Sequence, residues 1–397
     1  MIPEGWRDVP LGDLFDVKHG FAFPGEFFTD VPAYPTLLTP GNFAIGGGFK
    51  AGKARTFSGD VSAEYILRPG SLVLTMTDLS RDVDTLGLPA LVPDGPVYLH
   101  NQRIGLVVPR SDQVWVRFLN YLLRTKGYRS HVVATATGST VRHTSPSRIK
   151  SYRARVPGFD LQRAIAEVLG ALDDKIAANT KLASTAEDLA RTLASAVPAT
   201  VPLGEIVEHI KTTVNPEGLA DDSVAHFSLP AFDAGIEPEV VGPQEIKSNK
   251  FLVREPSVLV SKLNPRFPRV WNVRSVPSLT SLASTEFVTL RPRFSSTTVL
   301  WALTSQPAFG SALEAMVAGT SGSHQRVKPA EMLSTLVPDP RTMSDVLVGQ
   351  IDGLGLRAIS SRDENRTLAA TRDTLLPQLM SGKLRVRDAE RIASEVA

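Results

Sequence analysis

The sequence predicts an α/β (α+β) chain: two similar globular domains separated by two long antiparallel coiled-coil-like helices. Three observations carry that prediction. A set of short motifs recurs once, in the same order. A helical stripe with steps of four and three follows each copy. The composition, 42% hydrophobic and 21% charged, suits a packed globular core.

The repeat is read directly. Val9-Pro-Leu-Gly-Asp-Leu returns as Val201-Pro-Leu-Gly-Glu-Ile, 192 residues on. RPGSLVLTM from Arg68 returns as REPSVLVSK from Arg254, 186 on. The GST at Gly138 returns as GTSGS at Gly319, and Val156-Pro157 as Val337-Pro338, both 181 on. The offset drifts as loop insertions make it drift, and the period is too long for a solenoid. The organisation predicted is a first domain over 1–158, a first spacer helix over 159–199, a second domain over 200–340, a second spacer helix over 341–384 and a tail over 385–397.

Within each copy the elements follow in order. A VPLG opening leads to a strand-like stretch. Turn residues Pro69-Gly70 or Pro256 then precede a strand at Ser71–Met76 or Ser257–Lys262. A further strand covers Arg103–Val108 or Glu286–Leu290, and a helix Val114–Thr125 or Thr298–Leu303. A polar loop, Thr137–Ser147 or Gly319–Lys328, leads to the Val-Pro exit. Gly46-Gly47-Gly48 is a loop; with no Lys-Ser/Thr after it, it is not a phosphate-cradling P-loop.

The first helical stripe runs Ile165, Leu169, Leu172, Ile176, Leu182, Ala186, Leu189 and Leu193, and the second Leu347, Ile351, Leu354, Ala358, Leu368, Leu375 and Leu379. Asn179 and Asn365 lie on these stripes. A buried Asn in a heptad seam fixes register at some cost in stability, and a surface Asn beside a misdrawn seam reads the same way; both remain open. Neither helix has enough apolar surface to stand alone, so antiparallel pairing is expected. Pro198 and Pro202 close the first helix; Pro377 lies near the end of the second, with Gly382 as its stop.

Several classes are set aside. There is no cysteine for disulfides or thiolate metal sites, and the seven histidines form no HExxH pair. No apolar run approaches a membrane span of about 18 residues. The first twenty residues lack a signal pattern. A soluble, cytoplasmic protein without structural metal or membrane association is expected. The net charge is only +2, but it is segregated. Residues 110–155 hold ten Lys/Arg against Asp112, and residues 247–274 hold seven against Glu255. One such stretch is ordinary solvated surface; two, one per copy, point to a polyanion.

Enzymatic alternatives are weaker. Asn264-Pro265-Arg266-Phe267 is similar to the NPPF signature of amino-methyltransferases, but Arg266 replaces the second proline and no FxGxG cofactor loop lies upstream. Asp78, Asp82 and Asp84 cluster, but no ExK follows for a Mg²⁺ nuclease, so they read as loop and turn acids. Ser139 near His143 lacks an oxyanion context. A coiled-coil scaffold that does not bind DNA is the remaining alternative.

The VPLGD and VPLGE openings, SKLNPRFPRVW from Ser261, the GST loops, LQRAIAEVLGALDDKI from Leu161 and RDTLLPQLMSGKL from Arg372 together resemble the specificity (S) subunit of type I restriction-modification systems, over nearly the whole chain. The resemblance implies that each globular copy is a target-recognition domain reading one half of a bipartite double-stranded DNA site. It implies that the paired helices set the half-site spacing and dock two methylase (M) subunits, to which restriction (R) subunits join. It also implies a chain without catalysis or cofactor of its own, with S-adenosylmethionine, ATP and Mg²⁺ on the partner subunits. Gly353-Leu-Gly355 departs from the pattern and predicts a bend or interruption in the second helix.

Duplex readers use Arg, Lys, Asn, Gln, Ser and Thr on base edges and phosphates. The candidates in the first copy are Gln102, Arg103, Ser139, Thr140, Arg142, His143 and Arg148. In the second copy they are Lys262, Asn264, Arg266, Arg269, His324, Gln325, Arg326 and Lys328.

Overall fold

The computed structural model describes residues 5–52, 55–80, 82–317 and 325–396. The chain divides into two compact units, Met1–Ala177 with Glu364–Ala397, and Ala178–Asp363. Each unit holds one copy of the repeat and a part of each long helix.

In the first unit the opening and exit motifs pair with each other. Arg7–Pro10 runs antiparallel to Arg153–Val156, placing Val9 opposite Ala154. In the second unit Thr200–Pro202 pairs with Leu336–Pro338, placing Val201 opposite Val337. The VPLG and Val-Pro motifs thus recur because together they close each domain. One backbone bond repeats beside them: Leu11 N–H donates to Tyr152 O and Leu203 N–H to Thr335 O.

Each unit then builds a four-stranded antiparallel sheet. In the first unit the order is Phe15–His19, Ile104–Pro109, Leu72–Thr75, Pro89–Leu91. In the second it is Val207–Ile210, Phe287–Pro292, Ser257–Ser261, Val270–Val273. The inner strands Leu72–Thr75 and Ser257–Ser261 are buried at every residue, so they read as continuous rather than alternating runs. A helix covers each sheet, Val116–Leu122 or Thr297–Thr304, and the latter is capped by Ser296 accepting from Val299 N. A second helix follows in each copy, Lys126–Thr135 or Pro307–Val317.

A smaller five-stranded sheet accompanies each domain. Four strands keep one order in both copies: Thr56–Phe57, Thr36–Leu37, Tyr98–Leu99, Ile66–Leu67 in the first, and Glu239–Val241, Val224–Phe227, Ser281–Ala283, Lys250–Val253 in the second. The fifth strand joins opposite edges. Phe28–Thr29 pairs with Thr56–Phe57, whereas Thr213–Val214 pairs with Lys250–Val253. The domains are therefore copies with differently trimmed edges.

The first long helix, Phe159–Ser195, has 37 residues and so is about 55 Å long. Its buried seam runs Ile165, Leu169, Leu172, Asn179, Ala183, Ala186, Ala190, Ala194. This corrects the expected stripe beyond Asn179: Leu182 and Leu189 are exposed, and the smaller alanines face inward. Steps of four and three carried through Asn179 land on Ala183, not Leu182. Asn179 is inside the seam, at 3% exposure. The second long helix, Asp345–Met380, buries Ile351, Ala358, Leu368, Leu375 and Leu379 as expected. In the first unit Asp173 meets Arg372, Lys175 meets Glu364, and Asn365 Nδ2 donates to Ile176 O, an antiparallel pairing. In the second unit Arg362 meets Glu187. Gly382 stands two residues past the helix end, and Val386–Ser394 forms a further helix that buries Ala389. No helix among the described residues is long and apolar enough to cross a membrane.

The second helix is not interrupted at Gly353 and Gly355. A Cβ on Gly355 falls 2.3 Å from Thr298 Cγ2, so this glycine lets the helix lie against the Thr297–Thr304 helix of its own unit. A Cβ on Gly353 meets nothing within 4 Å. Packing against fully buried Thr298 offsets the low helix propensity. The two alanine substitutions therefore have opposite signs. Gly353→Ala stabilises by about 1 kcal/mol through helix propensity. Gly355→Ala destabilises, because overpacking of about 1–3 kcal/mol outweighs that gain. Urea unfolding of both variants checks this; equal effects contradict it.

Candidate nucleic-acid interface

The first-domain candidates converge on one backbone position. Met76, just past the strand Leu72–Thr75, donates its N–H to Arg103 O at 2.9 Å and accepts at its carbonyl from Thr144 N at 3.1 Å. One side of Met76 therefore carries the turn with Gln102 and Arg103, both exposed. The other carries the polar loop. Arg142–His143 pairs antiparallel with Thr77–Asp78, and His143 Nδ1 lies 3.3 Å from Thr77 Oγ1. Thr137 and His143 exchange both backbone bonds, at 3.0 and 2.8 Å, which closes the loop. Inside it Gly138 has φ +94, and a Cβ there falls 2.0 Å from Val141 O, so the turn requires glycine. Ser139 and Thr140 are left at the exposed tip. Arg148 Nη1 donates to Thr137 Oγ1 at 3.0 Å and braces the loop base.

The second domain repeats this frame with other side chains. Lys262 takes the place of Met76: its N–H donates to Glu286 O and its carbonyl accepts from Val327 N, both at 2.9 Å. Leu263 bridges Arg326 as Thr77–Asp78 pairs with Arg142–His143. Asn264 N–H donates to Gln325 O at 2.8 Å, and Phe267 N–H returns to Asn264 O at 2.8 Å, making a closed turn that exposes Arg266. Lys262, Asn264, Arg266, Gln325 and Arg326 are thus brought together. Lys328, 80% exposed, follows Val327 and lies 3.5 Å from Glu331. His324 lies outside the described residues.

Two arginines are already engaged. Arg269 holds both oxygens of Asp233 at 2.7 Å, and that carboxylate raises the guanidinium pKa above its ordinary value. Arg326 holds Glu286 at 3.0–3.2 Å, with the same direction of shift. Neither Lys262 nor Arg266 makes an ion pair among the described residues. Asn179 and Asn365 lie on the long helices.

The basic stretch over 110–155 is less available than its composition suggests. Arg110 and Lys150 both pair with Asp16, at 2.8 and 2.6 Å, and Arg153 reaches Asp8 at 3.4 Å. Arg129 donates to the carbonyls of Leu86 and Val83, and burial lowers its pKa. With Arg124, which pairs with Asp173 at 3.2 Å, five of the ten basic residues in this stretch hold the fold together.

Asp78, expected as a loop or turn acid, instead ends the strand Thr77–Asp78, and its carboxylate holds the turn that follows. Its carboxylate accepts from Ser80 N, Thr85 N, Thr85 Oγ1 and Leu86 N at 2.6–2.9 Å. Burial works against its charge, but the bonds from Ser80 and Thr85 outweigh burial and lower its pKa. Among the described residues no three His, Cys, Asp or Glu are grouped to hold a metal ion. Sequence reasoning missed Met76 and Thr77, whose backbone organises the first surface, and Phe267, which stands 61% exposed beside Arg266. The motif around Phe267 was visible, but its exposure was not.

Comparison with known proteins agrees with this architecture. Residues 3–187 match the family described as type I restriction modification DNA specificity domain. A stretch of 171 residues is 24% identical to the type I restriction enzyme EcoBI specificity subunit of Escherichia coli, covering 43% of this chain and 33% of that protein. The chain therefore spans about a third of the length of that curated relative. The fold is shared with the type I restriction-modification system S subunit from M. genitalium, with a TM-score of 0.55, 15% identity, and 94% and 96% of the two chains covered. The HsdS subunit from Thermoanaerobacter tengcongensis superposes with a TM-score of 0.35 at 16% identity over 96% and 98%.

Proposed function

We propose that this chain, whose residues 3–187 match the type I restriction modification DNA specificity domain family, is the DNA-reading subunit of a type I restriction-modification complex. Each domain reads one half of a bipartite duplex site. The observation that carries this reading is the repeated backbone frame around Met76 and Lys262. It presents Arg103, Ser139, Thr140, Arg142 and His143 in one copy, and Lys262, Asn264, Arg266, Gln325 and Arg326 in the other. One scaffold with two different sets of donors and acceptors suits two half-sites of different sequence. Phosphate contacts by the cations fix the docking, and the loop side chains select the bases.

The chain itself carries no chemistry in this reading. Methyl transfer and cleavage, with S-adenosylmethionine, ATP and Mg²⁺, belong to two methylase subunits and to restriction subunits docked around the long helices. The two long helices set the half-site separation. The pairing of Pro202 with Leu336 and of Thr200 with Pro338 marks where the second reader can be exchanged. Replacing Pro202–Pro338 by the matching segment of a relative with another specificity changes one half of the methylated site and leaves the other intact. The measurement is methylation mapping on a randomised duplex library, with the chain assembled with its methylase subunits. Loss of both halves together contradicts two modular readers, and methyl transfer by the chain alone contradicts a subunit without chemistry.

A further inference from the structure

Four phenylalanines stand exposed among the described residues: Phe21, Phe27, Phe267 and Phe294. Three of them have an intramolecular partner. Phe21 packs against Phe23 and Tyr65 at 5.1 Å, Phe27 against Phe57 at 5.8 Å, and Phe294 lies 5.8 Å from the Arg341 guanidinium. Phe267 is the most exposed, at 61%, and makes no ring or cation contact among the described residues. A single exposed apolar residue is ordinary on a protein surface. The mounting of this one is not.

Phe267 ends a turn fixed at several points. Asn264 adopts φ 49 and is tied through its N–H to Gln325 O; Pro265 is buried; Phe267 N–H closes the turn onto Asn264 O. Two residues on, Arg269 is clamped to Asp233 and also donates to Phe267 O at 3.4 Å. The ring is therefore presented with its backbone already ordered, so little further ordering accompanies its burial by a partner. In the same segment, Lys262 and Arg266 have no acidic partner among the described residues. An apolar protein surface covering the ring would strip water from these two cations without compensation. A nucleic-acid duplex offers phosphates to both cations and flat apolar base faces to the ring.

We propose that Phe267 is an apolar wedge of the second domain, entering the base stack of its half-site between two base pairs while Lys262 and Arg266 hold the flanking phosphates. Aromatic and aliphatic wedges of this kind partly unstack one step and bend the duplex. The consequence is readout of step deformability, because pyrimidine–purine steps open at lowest cost. The inference rests on the DNA-reading function proposed above and adds a residue outside the polar loops to it.

The test uses the full chain and a random duplex library. Wild-type protein selects a bipartite site, and the affinity for that site is then measured for Phe267→Ala, Phe267→Leu and Phe27→Ala, with melting temperatures as a check on folding. Phe267→Ala is expected to bind about tenfold more weakly or worse, with base preference lost at one step of one half-site. Phe267→Leu should recover most of the affinity, and Phe27→Ala should match wild type. Independently, duplexes carrying 2-aminopurine along the selected half-site should brighten on binding wild-type protein at that one step, and stay dark with Phe267→Ala. Unchanged affinity and selection in Phe267→Ala, an equal loss in Phe27→Ala, or no brightening at any position with wild type overturns the wedge while leaving DNA reading intact. A wild-type chain that selects no duplex sequence overturns both.

Discussion

Raising the salt from about 50 to about 200 mM is expected to weaken duplex binding by about a thousandfold. The figure comes from which cations remain available. The composition over 110–155 and 247–274 offers seventeen basic residues, but many are spent inside the fold. Arg110, Lys150 and Arg153 serve Asp16 and Asp8, Arg124 serves Asp173, and Arg269 serves Asp233. On the two surfaces Arg142, Arg148, Lys262 and Arg266 remain from these stretches, and Arg103 and Lys328 join them from outside, making six. Arg148 bonds only a hydroxyl, and the contact of Lys328 to Glu331 is solvent-exposed and weak. Six neutralised phosphates give a slope of about −5 in log affinity against log salt, hence about three decades over a fourfold change. Lys262→Ala should lower that slope by about one and weaken all sequences alike, whereas Arg266→Ala should also relax selection at a base position. A titration series by fluorescence anisotropy at several salt concentrations reads the slope. A slope near zero contradicts a phosphate-docked surface, and a slope near −15 shows that the internally paired arginines are recruited as well.

The duplication and the helical spacers were legible in the sequence because they rest on patterns that survive insertion and deletion. VPLG and Val-Pro recur since they pair with each other, Val9 opposite Ala154 and Val201 opposite Val337. The strand over Ser257–Ser261 was legible from its run of branched residues. The smaller sheets were not. Thr36–Leu37 and Tyr98–Leu99 are two residues each, too short to show any period, and they form strands only because distant partners hydrogen-bond to them. The seam beyond Asn179 was misdrawn for a different reason. Leucine is the larger apolar residue, so size favoured Leu182 and Leu189, while the helix geometry buries Ala183 and Ala190. Small residues there bring the paired helices close in the second unit, where Ala183, Ala186 and Ala358 form one cluster. At the site, residue type picked out residues that the fold brings together, Arg142 and His143 beside Met76 and Thr77, and Gln325 and Arg326 beside Lys262 and Asn264. Pairings such as Arg269 with Asp233, or Arg326 with Glu286, span 36 and 40 residues and carry no local signal.

Asp173→Ala is expected to destabilise the first unit by about 3 kcal/mol. Asp173 is the hub where the globular domain meets the paired helices of its own unit. Its Oδ2 accepts from Tyr121 Oη at 2.7 Å and from Arg124 Nη1 at 3.2 Å; its Oδ1 accepts from Arg372 Nη1 at 2.6 Å. Arg124 has 9% of its side chain exposed and Arg372 22%, so neither guanidinium can turn fully to water. Burial disfavours the Arg372 charge, yet the Asp173 and Asp373 carboxylates together outweigh burial and raise its pKa. Burial and the same carboxylate push the Tyr121 phenol up, keeping it a neutral donor. Removing Asp173 leaves the nearly buried Arg124 without its anion and Arg372 with only the exposed Asp373, which costs more than the lost hydrogen bonds alone. The variants separate these contributions. Tyr121→Phe removes one hydrogen bond and should cost about 1 kcal/mol. Asp173→Asn keeps an acceptor but not the charge, and should lie much nearer to Asp173→Ala than to wild type. Hydrogen exchange under native conditions gives the readout by unit. Amides of the strands Phe15–His19 and Ile104–Pro109 should lose protection in Asp173→Ala, while those of Ser257–Ser261 and Phe287–Pro292 keep theirs. Equal loss in both sets means that the two units unfold as one. Asp173→Asn matching wild type means that the hub acts through its hydrogen bonds and not through its charge.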